Sequence, residues 1–418
     1  MTLPEDLAER FAARFPPRLV AAFTLFFAAV YLVVDLNKLC ALRVGSNTGE
    51  YLQAAVRFLH TGSTFNYVDW NSTLVMHDQW MFLAVAPFAA LWPHPEIVIL
   101  VQVIALATAA PLLYALVRAW GGTRFAAAVA AIVYLVSPSV QGFANAEFVP
   151  LDFVPLLAFA LGLALARGSL IWALVCAELL CGAKEDVGLF VLWFGIVYGI
   201  LKDRKTGIAI GILAAINLAI YFGFVQHFGV HTVHPAYGLD DTAWPKQLAF
   251  TAEILAPFAF APLALGWRVL LALPLIAELF FAHWAFPLYQ AGSYYTIPLV
   301  TVVVLAAAYV FTRRPQWARA AIPCALVMAL FFNTTVLHFG RHLYTCDPLY
   351  RTARAWSFAH ATVDFPCEDQ GAWTIAAGNT EARLNGCGHG ELSRARSTWG
   401  DEPLASTAPW TLGPGARH

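Results

Sequence analysis

Three adjacent ionisable residues lie between two apolar runs. Lys184, Glu185 and Asp186 follow one another directly, after the run 170–181 and before the run 187–201. A single charge at the centre of a bilayer costs roughly 2.5–3.5 kcal/mol, so three adjacent charges belong at an interface or in a water-filled cavity. There, an ammonium group could neutralise a phosphate while two carboxylates orient it. The alternative interpretation is a polar hairpin between two spans, without chemistry of its own.

Upstream of this group, residues 46–60 combine an apolar stripe with polar residues. The sequence SNTGEYLQAAVRFLH predicts an amphipathic helix at the membrane interface, with Tyr51, Ala55 and Phe58 on its apolar face. Glu50 lies on this helix and offers a carboxylate that could act as a general base. The alternative is a surface helix whose polar residues are only solvated.

The loop that contains this helix also carries imidazole, carboxylate and aromatic groups. Asp69, Trp70, His77 and Asp78 precede a short apolar stretch, 79–92. Side chains of these types, beside a helix that lies along the membrane, could bind a phosphate-bearing headgroup and a sugar. Segments of 10–14 apolar residues are more often interfacial or re-entrant than spanning, and this is the prediction for 79–92.

The composition indicates which class of protein must position these groups. The 418-residue chain is 60% hydrophobic and 12% charged, whereas soluble globular domains are about 45–50% apolar and about 25% charged. With 25 Lys and Arg residues against 26 Asp and Glu residues, the chain lacks the basic excess that would indicate a nucleic-acid partner. The sequence therefore predicts an all-α fold, a polytopic transmembrane helical bundle.

Eleven segments of the chain are predicted to cross the membrane as helices. A spanning helix needs roughly 20 predominantly apolar residues. The segments that meet or approach this length are 18–36, 97–117, 125–142, 150–166, 169–183, 187–201, 208–227, 252–267, 269–285, 294–312 and 320–338.

The distribution of basic residues predicts the orientation of the bundle. With eleven spans, 13 of the 18 Lys and Arg residues before the tail fall on the side of the N-terminus. Because cytoplasmic loops carry the excess of Lys and Arg, the N-terminus is predicted to be cytoplasmic and the tail extracytoplasmic. The predicted organisation is a cytoplasmic segment 1–17, a transmembrane domain 18–338 with a long first outer loop 37–96, and an extracytoplasmic tail 339–418.

This topology distributes the polar residues unequally between the two faces. All 12 histidines fall on or near the outer face, as do ten of the acidic residues outside the tail, Glu147 and Asp152 among them. An active site on that face has no access to ATP or to soluble nucleotide sugars. An enzyme there would therefore use a lipid-linked donor.

Metal binding stays open on the sequence alone. His227, His231 and His234 have a spacing that suits a metal site on a helix, but Gly229 and the β-branched residues around it favour a solvated loop. We assign no metal ligands, and a divalent cation remains an alternative.

Four cysteines lie where disulfide bonds would form in an oxidising compartment. Cys346, Cys367 and Cys387 are in the tail, and Cys40 lies at the outer end of the first span. One or two disulfides are expected among them. Four cysteines permit three full pairings, which the sequence does not separate.

Several motifs occur in an order that resembles one known family. They are Gly49 and Gln53 in the first outer loop, His77 before an apolar run, Phe148-x-Pro150, Lys184-Glu185-Asp186, the Pro-rich segment 255–274 and Tyr294-Tyr295-x-x-Pro298. Over roughly residues 40–312 the chain resembles the domain-of-unknown-function 2079 family of bacterial polytopic membrane proteins. That family is similar in layout to the integral-membrane glycosyltransferases of the C superfamily, which use polyprenyl-phosphate sugars.

The resemblance implies an enzyme of the bacterial cytoplasmic membrane that transfers a sugar from a polyprenyl-phosphate donor at the outer face. The catalytic candidates are Glu50 or Asp78 as general base, Lys184 near the leaving phosphate, and Glu185 and Asp186 as residues that orient the lysine or hold an ion. The expected partners are the lipid-linked sugar, membrane lipid and other membrane proteins.

Polar and aromatic residues of the same segments are the candidates for substrate binding. They are Asn47, His77, Glu147, Asp152, Tyr294 and Tyr295.

Departures from the family pattern favour an alternative hypothesis. Asn47 and Leu52 stand where the family usually carries acidic residues, and Val149 stands where a histidine is usual. A catalytically degenerate scaffold or accessory subunit is therefore the second hypothesis. A transporter or lipid flippase ranks third, because the sequence shows no internal repeat and its ionisable groups cluster on one side.

Overall fold

The computed structural model describes residues 17–67, 71–225, 236–237, 244–283, 292–331, 343–357 and 362–385, and most of these residues are helical. The α-helices within these ranges are α1 (Pro17–Cys40), α2 (Ser46–Thr61), α3 (Thr73–Met76), α4 (Ala86–Ala89), α5 (Pro95–Ala119), α6 (Arg124–Val136), α7 (Pro138–Asn145), α8 (Val154–Ala166), α9 (Leu170–Cys181), α10 (Glu185–Leu201), α11 (Arg204–Ile220), α12 (Trp244–Leu255), α13 (Leu273–Phe281), α14 (Ile297–Arg313), α15 (Pro315–Phe331), α16 (Leu349–Trp356) and α17 (Gln370–Ala376).

Short strands and tight helical turns connect these helices. In the described ranges the strands form three two-stranded sheets: β1 (Phe65–Asn66) antiparallel to β2 (Asn71–Ser72), β3 (Ala236–Tyr237) antiparallel to β4 (Ala282–His283), and β5 (Val363–Pro366) parallel to β6 (Ala382–Asn385). The 3₁₀ turns cover Trp80–Val85, Pro150–Phe153, Ala256–Phe258, Ala261–Ala272, Tyr294–Thr296 and Cys367–Asp369, and a π turn covers Tyr221–Val225.

The protein is a polytopic helical membrane protein, as predicted. Five segments of the described residues are long and apolar enough to cross a membrane, and a sixth exists if α6 and α7, which meet at 49°, form one span. The five are Pro17–Cys40, Pro95–Ala119, Arg204–Val225, Ala261–Phe281 and Tyr294–Arg313. Other predicted spans coincide with shorter helices, among them α8, α9 and α10.

The predicted pair of spans 252–267 and 269–285 does not match the helices that form. Helix α12 ends at Leu255, and Ala259 and Phe260 adopt positive φ angles of 52° and 59° before a new segment begins at Ala261. Proline lacks the N–H that a continuous helix needs and collides with the preceding turn. Two prolines within residues 257–262 therefore divide the first predicted span, and one apolar segment then runs to Phe281.

Helices α10 and α11 form a hairpin whose backbones touch through glycines. A Cβ atom placed on Gly207 would lie 2.3 Å from the Cα atom of Gly199, and one placed on Gly195 would lie 2.7 Å from the backbone nitrogen of Gly211. Small residues allow membrane helices to approach this closely and to gain van der Waals contact along their length. The hairpin fixes the direction of α10, whose first turn carries the acidic pair.

The predicted helix of the first loop is present as α2, but it is covered on both sides. Residues 46–56 are all buried, polar ones included. Tyr51 and Ala55, two of the predicted apolar residues, are buried, whereas Phe58 is 38% exposed. The polar face of α2 packs against α17 of the tail, so the alternative of a surface helix with solvated polar residues is wrong.

The described part of the tail forms a small β-α-β unit in which α17 connects β5 to β6. A disulfide between Cys40 and Cys346 joins the end of α1 to the start of the tail, so at least one disulfide forms among the four cysteines, as expected. Cys367 is also disulfide-bonded. A covalent link over 306 residues of sequence thus holds the tail at the end of the bundle where α2 lies.

The glycine contact of the hairpin predicts a position-specific response to alanine. Gly207→Ala should lower the free energy of unfolding by about 1–3 kcal/mol, because the new methyl group must separate two backbones. Gly211→Ala is the matched control, since its Cβ would meet only Leu192 Cδ1 at 3.9 Å. Thermal unfolding of both variants in detergent tests the packing. Equal stability of the two variants would contradict it.

Candidate active site

The carboxylate of Glu185 connects the first turn of α10 to the loop before the 3₁₀ turn Trp80–Val85. Its Oε1 atom lies 2.8 Å from Nδ1 of His77, and its Oε2 atom accepts a hydrogen bond from the backbone N–H of Asp78 at 3.1 Å. Two segments about 107 residues apart in sequence therefore meet at one carboxylate. This contact brings three of the predicted site residues together.

The backbone at the start of α10 explains why these charges face the loop. Lys184 is the N-cap residue with extended backbone angles, and Glu185 and Asp186 occupy the first turn. Negative side chains are favourable there because the unpaired N–H groups give a helix N-terminus a partial positive charge. The first turn thus stabilises the two acids that the sequence places side by side.

A close contact holds the 3₁₀ turn against this segment. The backbone N–H of Met81 donates to the carbonyl of Gly182 at 2.8 Å, and Trp80 packs directly on the glycine. A Cβ on Gly182 would lie 2.2 Å from Cε2 of Trp80, so only glycine fits this position. The contact fixes the loop relative to Lys184.

Lys184 is surrounded by acidic and aromatic groups. Its Nζ atom lies 2.9 Å from Oδ2 of Asp186 and 5.3 Å from the ring centroid of Tyr295. Glu278 of α13 lies close enough to hydrogen-bond with Asp186. Burial alone would lower the pKa of the Lys184 ammonium, but the carboxylates of Asp186 and Glu185 hold that pKa well above its usual range. Lys184 therefore stays charged.

The two acids on either side of the junction have opposite protonation behaviour. Burial, together with the negative charges of Glu185 and Glu178, raises the pKa of Asp78 to about 7. For Glu185, burial alone would raise the pKa, but the charge and hydrogen bond of His77 and the charge of Lys184 outweigh it and bring the pKa to about 2. Asp78 can therefore exchange a proton near neutral pH while Glu185 remains ionised.

Two tyrosines support the loop from neighbouring helices. The Tyr51 hydroxyl donates to Oε1 of Gln79 at 2.6 Å, and the Tyr221 hydroxyl donates to the carbonyl of Met76 at 2.9 Å. These bonds flank His77 and Asp78 on both sides. The sequence analysis missed Gln79 and Tyr221, and a tyrosine at the end of an apolar run is too common to indicate such a role.

Glu50 lies on α2, the helix whose Tyr51 contacts the loop. It is 8% exposed and precedes Tyr51, whose hydroxyl reaches Gln79. The structure therefore brings together His77, Asp78, Lys184, Glu185, Asp186 and Tyr295, and it places Glu50 on the adjacent helix. Tyr294 adjoins the group through a hydroxyl–hydroxyl contact of 3.2 Å with Tyr295.

Asn47 and Glu147 meet at a second location, at the N-terminus of α2. The backbone N–H of Asn47 donates to Oε2 of Glu147 at 2.7 Å, and the N–H of Phe148 donates to Oγ1 of Thr48 at 3.3 Å. The Glu147 carboxylate fills the space beside Gly45, where a Cβ would lie 2.2 Å from it. Glu147 thus acts as a long-range cap for α2.

A cleft of about 10 Å³, room for about one water molecule, opens beside this cap. Its charged lining includes Asp35 and Lys38, which lie 3.6 Å apart, and Glu147. The Lys38 ammonium also donates to the carbonyl of Asn145. Nearby, Asp152 is buried in its 3₁₀ turn and accepts a hydrogen bond from the N–H of Val149 at 3.0 Å.

Several predicted positions lie outside the described residues. They are Asp69, Trp70, His227, His231 and His234. Among the residues that the structure describes, no group of three or more His, Cys, Asp and Glu side chains is arranged to hold a metal ion.

Comparison with known proteins supports both the family and the fold. The sequence pattern of a family described as "Predicted membrane protein (DUF2079)" matches residues 45–358. Two crystal structures of ArnT from Cupriavidus metallidurans, one bound to undecaprenyl phosphate and one in the apo state, resemble the chain with TM-scores of 0.50 and 0.51. Each is 13% identical and covers 93% of this chain, and the chain covers 77% and 76% of the two ArnT chains. At this identity the likeness shows the fold alone. No curated protein sequence matches the chain.

The raised pKa of Asp78 predicts a pH-dependent gain in stability for Asp78→Asn. The folded protein holds this proton more tightly than the unfolded chain, so wild-type stability falls as pH rises from about 4 to about 7. The Asp78→Asn variant avoids that loss because an amide does not ionise. The melting temperature of the variant should exceed that of the wild type by more at pH 8 than at pH 4.

Asp203→Asn is a control with the opposite sign. Hydrogen bonds from Thr206 and from the backbone of Lys205 lower the pKa of Asp203, so its ionised form stabilises the start of α11. This variant should lose stability at pH 8. A pH-independent effect of Asp78→Asn would contradict the assigned environment of Asp78.

Proposed function

Because the chain belongs to the DUF2079 family of predicted membrane proteins and shares its fold with ArnT, we propose that it transfers a sugar from a polyprenyl-phosphate donor at the outer face of the bacterial cytoplasmic membrane. One ArnT structure contains undecaprenyl phosphate, a polyprenyl phosphate. The observation that carries the proposal is the junction of His77, Asp78 and Glu185 beside the Lys184–Asp186 pair. It combines a proton acceptor with a buried cation, the two functions that such a transfer needs.

The transfer proceeds as a displacement at the anomeric carbon. A carboxylate accepts the proton of the acceptor hydroxyl as its oxygen forms the new bond to that carbon. The bond between the carbon and the lipid phosphate oxygen breaks, and its electron pair leaves with the phosphate. The ammonium of Lys184 stabilises the negative charge that develops on the phosphate.

Of the two candidate bases, Asp78 has a pKa that suits a general base. A general base is most efficient when its pKa lies near the working pH, and that of Asp78 is about 7. Glu50, on α2, is the alternative base. The paired geometry also divides the supporting roles: Asp186 orients Lys184, and Glu185 orients His77.

The remaining predicted residues take two kinds of role in this proposal. His77, Tyr294 and Tyr295 contact the sugar or the phosphate, since they adjoin Lys184 and Glu185. Asn47, Glu147 and Asp152 support α2 and the turn Pro150–Phe153 through the backbone bonds described above. We assign them no contact with substrate.

The proposal includes the predicted orientation, with the N-terminus in the cytoplasm and the tail outside the membrane. In that orientation the end of the bundle that carries α2, the tail and the Lys184 segment faces outward. Basic residues at the opposite ends of the helices, such as Arg118, Arg167 and Lys202, favour the cytoplasm for that side. A lipid-linked donor in the outer leaflet then reaches Lys184 without crossing the bilayer.

Transfer assays on the full chain in lipid nanodiscs test the proposal. With labelled undecaprenyl-phosphate sugars as donors, Asp78→Asn should reduce turnover about 10²–10⁴-fold, the usual contribution of a general base. Lys184→Met should also abolish most turnover, whereas Lys202→Met, at the exposed other end of α10, should retain wild-type activity. Parallel assays with EDTA and with Mg²⁺ test whether a divalent cation contributes.

The outcome for Glu50→Gln decides between the two bases. If Glu50→Gln loses turnover while Asp78→Asn stays active, Glu50 is the general base. If no donor is consumed and a stable partner copurifies with the wild type, the result contradicts the enzyme hypothesis and favours the scaffold hypothesis.

Cysteine labelling tests the orientation. Ser63→Cys, in the first loop, should react with a membrane-impermeant maleimide on intact spheroplasts, and Lys202→Cys should react only after permeabilisation. Both positions are exposed, so burial would not explain a difference. The reverse labelling pattern would contradict the proposed topology.

A further inference from the structure

The tail is anchored to the bundle by more than its disulfide. Next to the Cys40–Cys346 bond, the side-chain amide of Asn37 donates to the carbonyl of Tyr344 at 3.0 Å and accepts from its N–H at 2.6 Å. The guanidinium of Arg43 lies 4.3 Å from the centroid of the Tyr344 ring. These contacts fix the first residues of the tail at the end of α1.

From this anchor the tail covers the polar side of α2. The ring of Trp373 packs so closely on Gly49 that a Cβ there would lie 2.7 Å from it. The Thr374 hydroxyl donates to the carbonyl of Gly45 at 3.3 Å. The Trp373 indole N–H donates to the carbonyl of Ala382 at 3.1 Å, which ties α17 to β6.

Gln53, at the centre of this interface, uses both ends of its side-chain amide. Its Nε2 atom donates to the carbonyls of Asn379 and Ala382, at 3.3 and 2.9 Å, and its Oε1 atom accepts from the backbone N–H of Tyr67 at 2.9 Å. The side chain is fully buried. One amide therefore connects α2, the tail and the first loop, in surroundings where an unpaired polar group would be costly.

Arg57, one turn further along α2, connects the same three parts. Its guanidinium donates to the carbonyl of Thr380 and lies 3.7 Å from the carboxylate of Glu381. It also lies 5.2 and 5.0 Å from the ring centroids of Phe65 and Tyr67. The tail thus contacts the first loop through two adjacent side chains of one helix face.

A short, hydrogen-bonded stretch of the loop connects this contact to the site. The hydroxyls of Thr64 and Ser72 lie 2.6 Å apart across the β1–β2 hairpin, and the amide of Asn66 donates to Oγ1 of Thr73 at 3.0 Å. The N–H of His77 then donates to the carbonyl of Thr73 at 3.2 Å. The hairpin therefore fixes the position of the backbone at His77.

We infer that Gln53 is a positioning residue that connects the disulfide-anchored tail to the loop carrying His77 and Asp78, and so holds that loop against α10. Its catalytic meaning rests on the proposed function, but its structural effect is measurable without any substrate. Rupture of either the Gln53 bonds or the Cys40–Cys346 bond should release the same loop.

Hydrogen exchange of the purified full chain, followed by mass spectrometry, tests this inference. Gln53→Leu should accelerate exchange in residues 64–78 about tenfold, the change that one lost hydrogen bond of ordinary strength produces in an opening equilibrium. Reduction of the wild type with a phosphine should accelerate the same residues and should add little to Gln53→Leu. The pH dependence that Asp78 confers on melting should also move to lower pH in this variant, as Asp78 leaves its buried, acidic surroundings.

Gln102→Leu is the matched control. Gln102 is equally buried and also donates to two backbone carbonyls, those of Phe143 and Ala146. This variant should lose stability without faster exchange in 64–78. Equal exchange of residues 64–78 in the two variants would overturn the positioning role. So would independent effects of reduction and of Gln53→Leu on that exchange.

Two outcomes keep the test decisive. If Gln53→Leu fails to fold, unchanged exchange of 64–78 after full reduction of the wild type overturns the inference. If the exchange results hold while the wild type transfers no sugar from any donor, the positioning role stands and the proposed enzyme fails.

Discussion

The Glu185 carboxylate is the contact on which the arrangement of the site depends. It joins the imidazole of His77 and the N–H of Asp78 to the first turn of α10, and both bonds have ordinary lengths. A carboxylate that is largely removed from water needs a cation or several donors to remain ionised. His77 and Lys184 satisfy that need, and the loop must stay in place for them to do so.

The same contact sets the charge balance of its surroundings. Five carboxyl groups lie around the Lys184 ammonium and the His77 imidazole, and they belong to Asp78, Glu178, Glu185, Asp186 and Glu278. Because like charges in a poorly solvated site cannot all remain ionised, at least one carboxyl group must hold a proton near neutral pH. Asp78, with a pKa of about 7, exchanges its proton in this pH range. In the proposed reaction its proton exchange and the charge on Lys184 are parts of one electrostatic arrangement.

The sequence predicted the membrane class and the helix α2, since each has a local signal in composition or periodicity, and the adjacent charges of residues 184–186 made that group a candidate site. It did not predict how the charges pair. Neighbouring residues of a helix point in different directions, so Asp186 binds Lys184 while Glu185 turns to His77, and only the packing of a distant loop decides this.

Two other features were equally inaccessible to local patterns. The burial of α2 depends on the tail, some 300 residues later in the chain, so an amphipathic pattern suggested a solvated face that does not exist. The spans 252–267 and 269–285 were misplaced because average hydrophobicity outweighed two prolines in the prediction. Both errors arise where tertiary contacts or backbone geometry override a regular sequence pattern.

A cryo-electron microscopy structure of the full chain in nanodiscs with undecaprenyl phosphate would test the central claim most directly. The account predicts phosphate density within salt-bridge distance, about 4 Å, of the Lys184 ammonium, with His77 still paired to Glu185. Phosphate density beside Lys38, a buried lysine near the C-terminal end of α1, would contradict it. Phosphate density at the opposite face of the bundle would also contradict it.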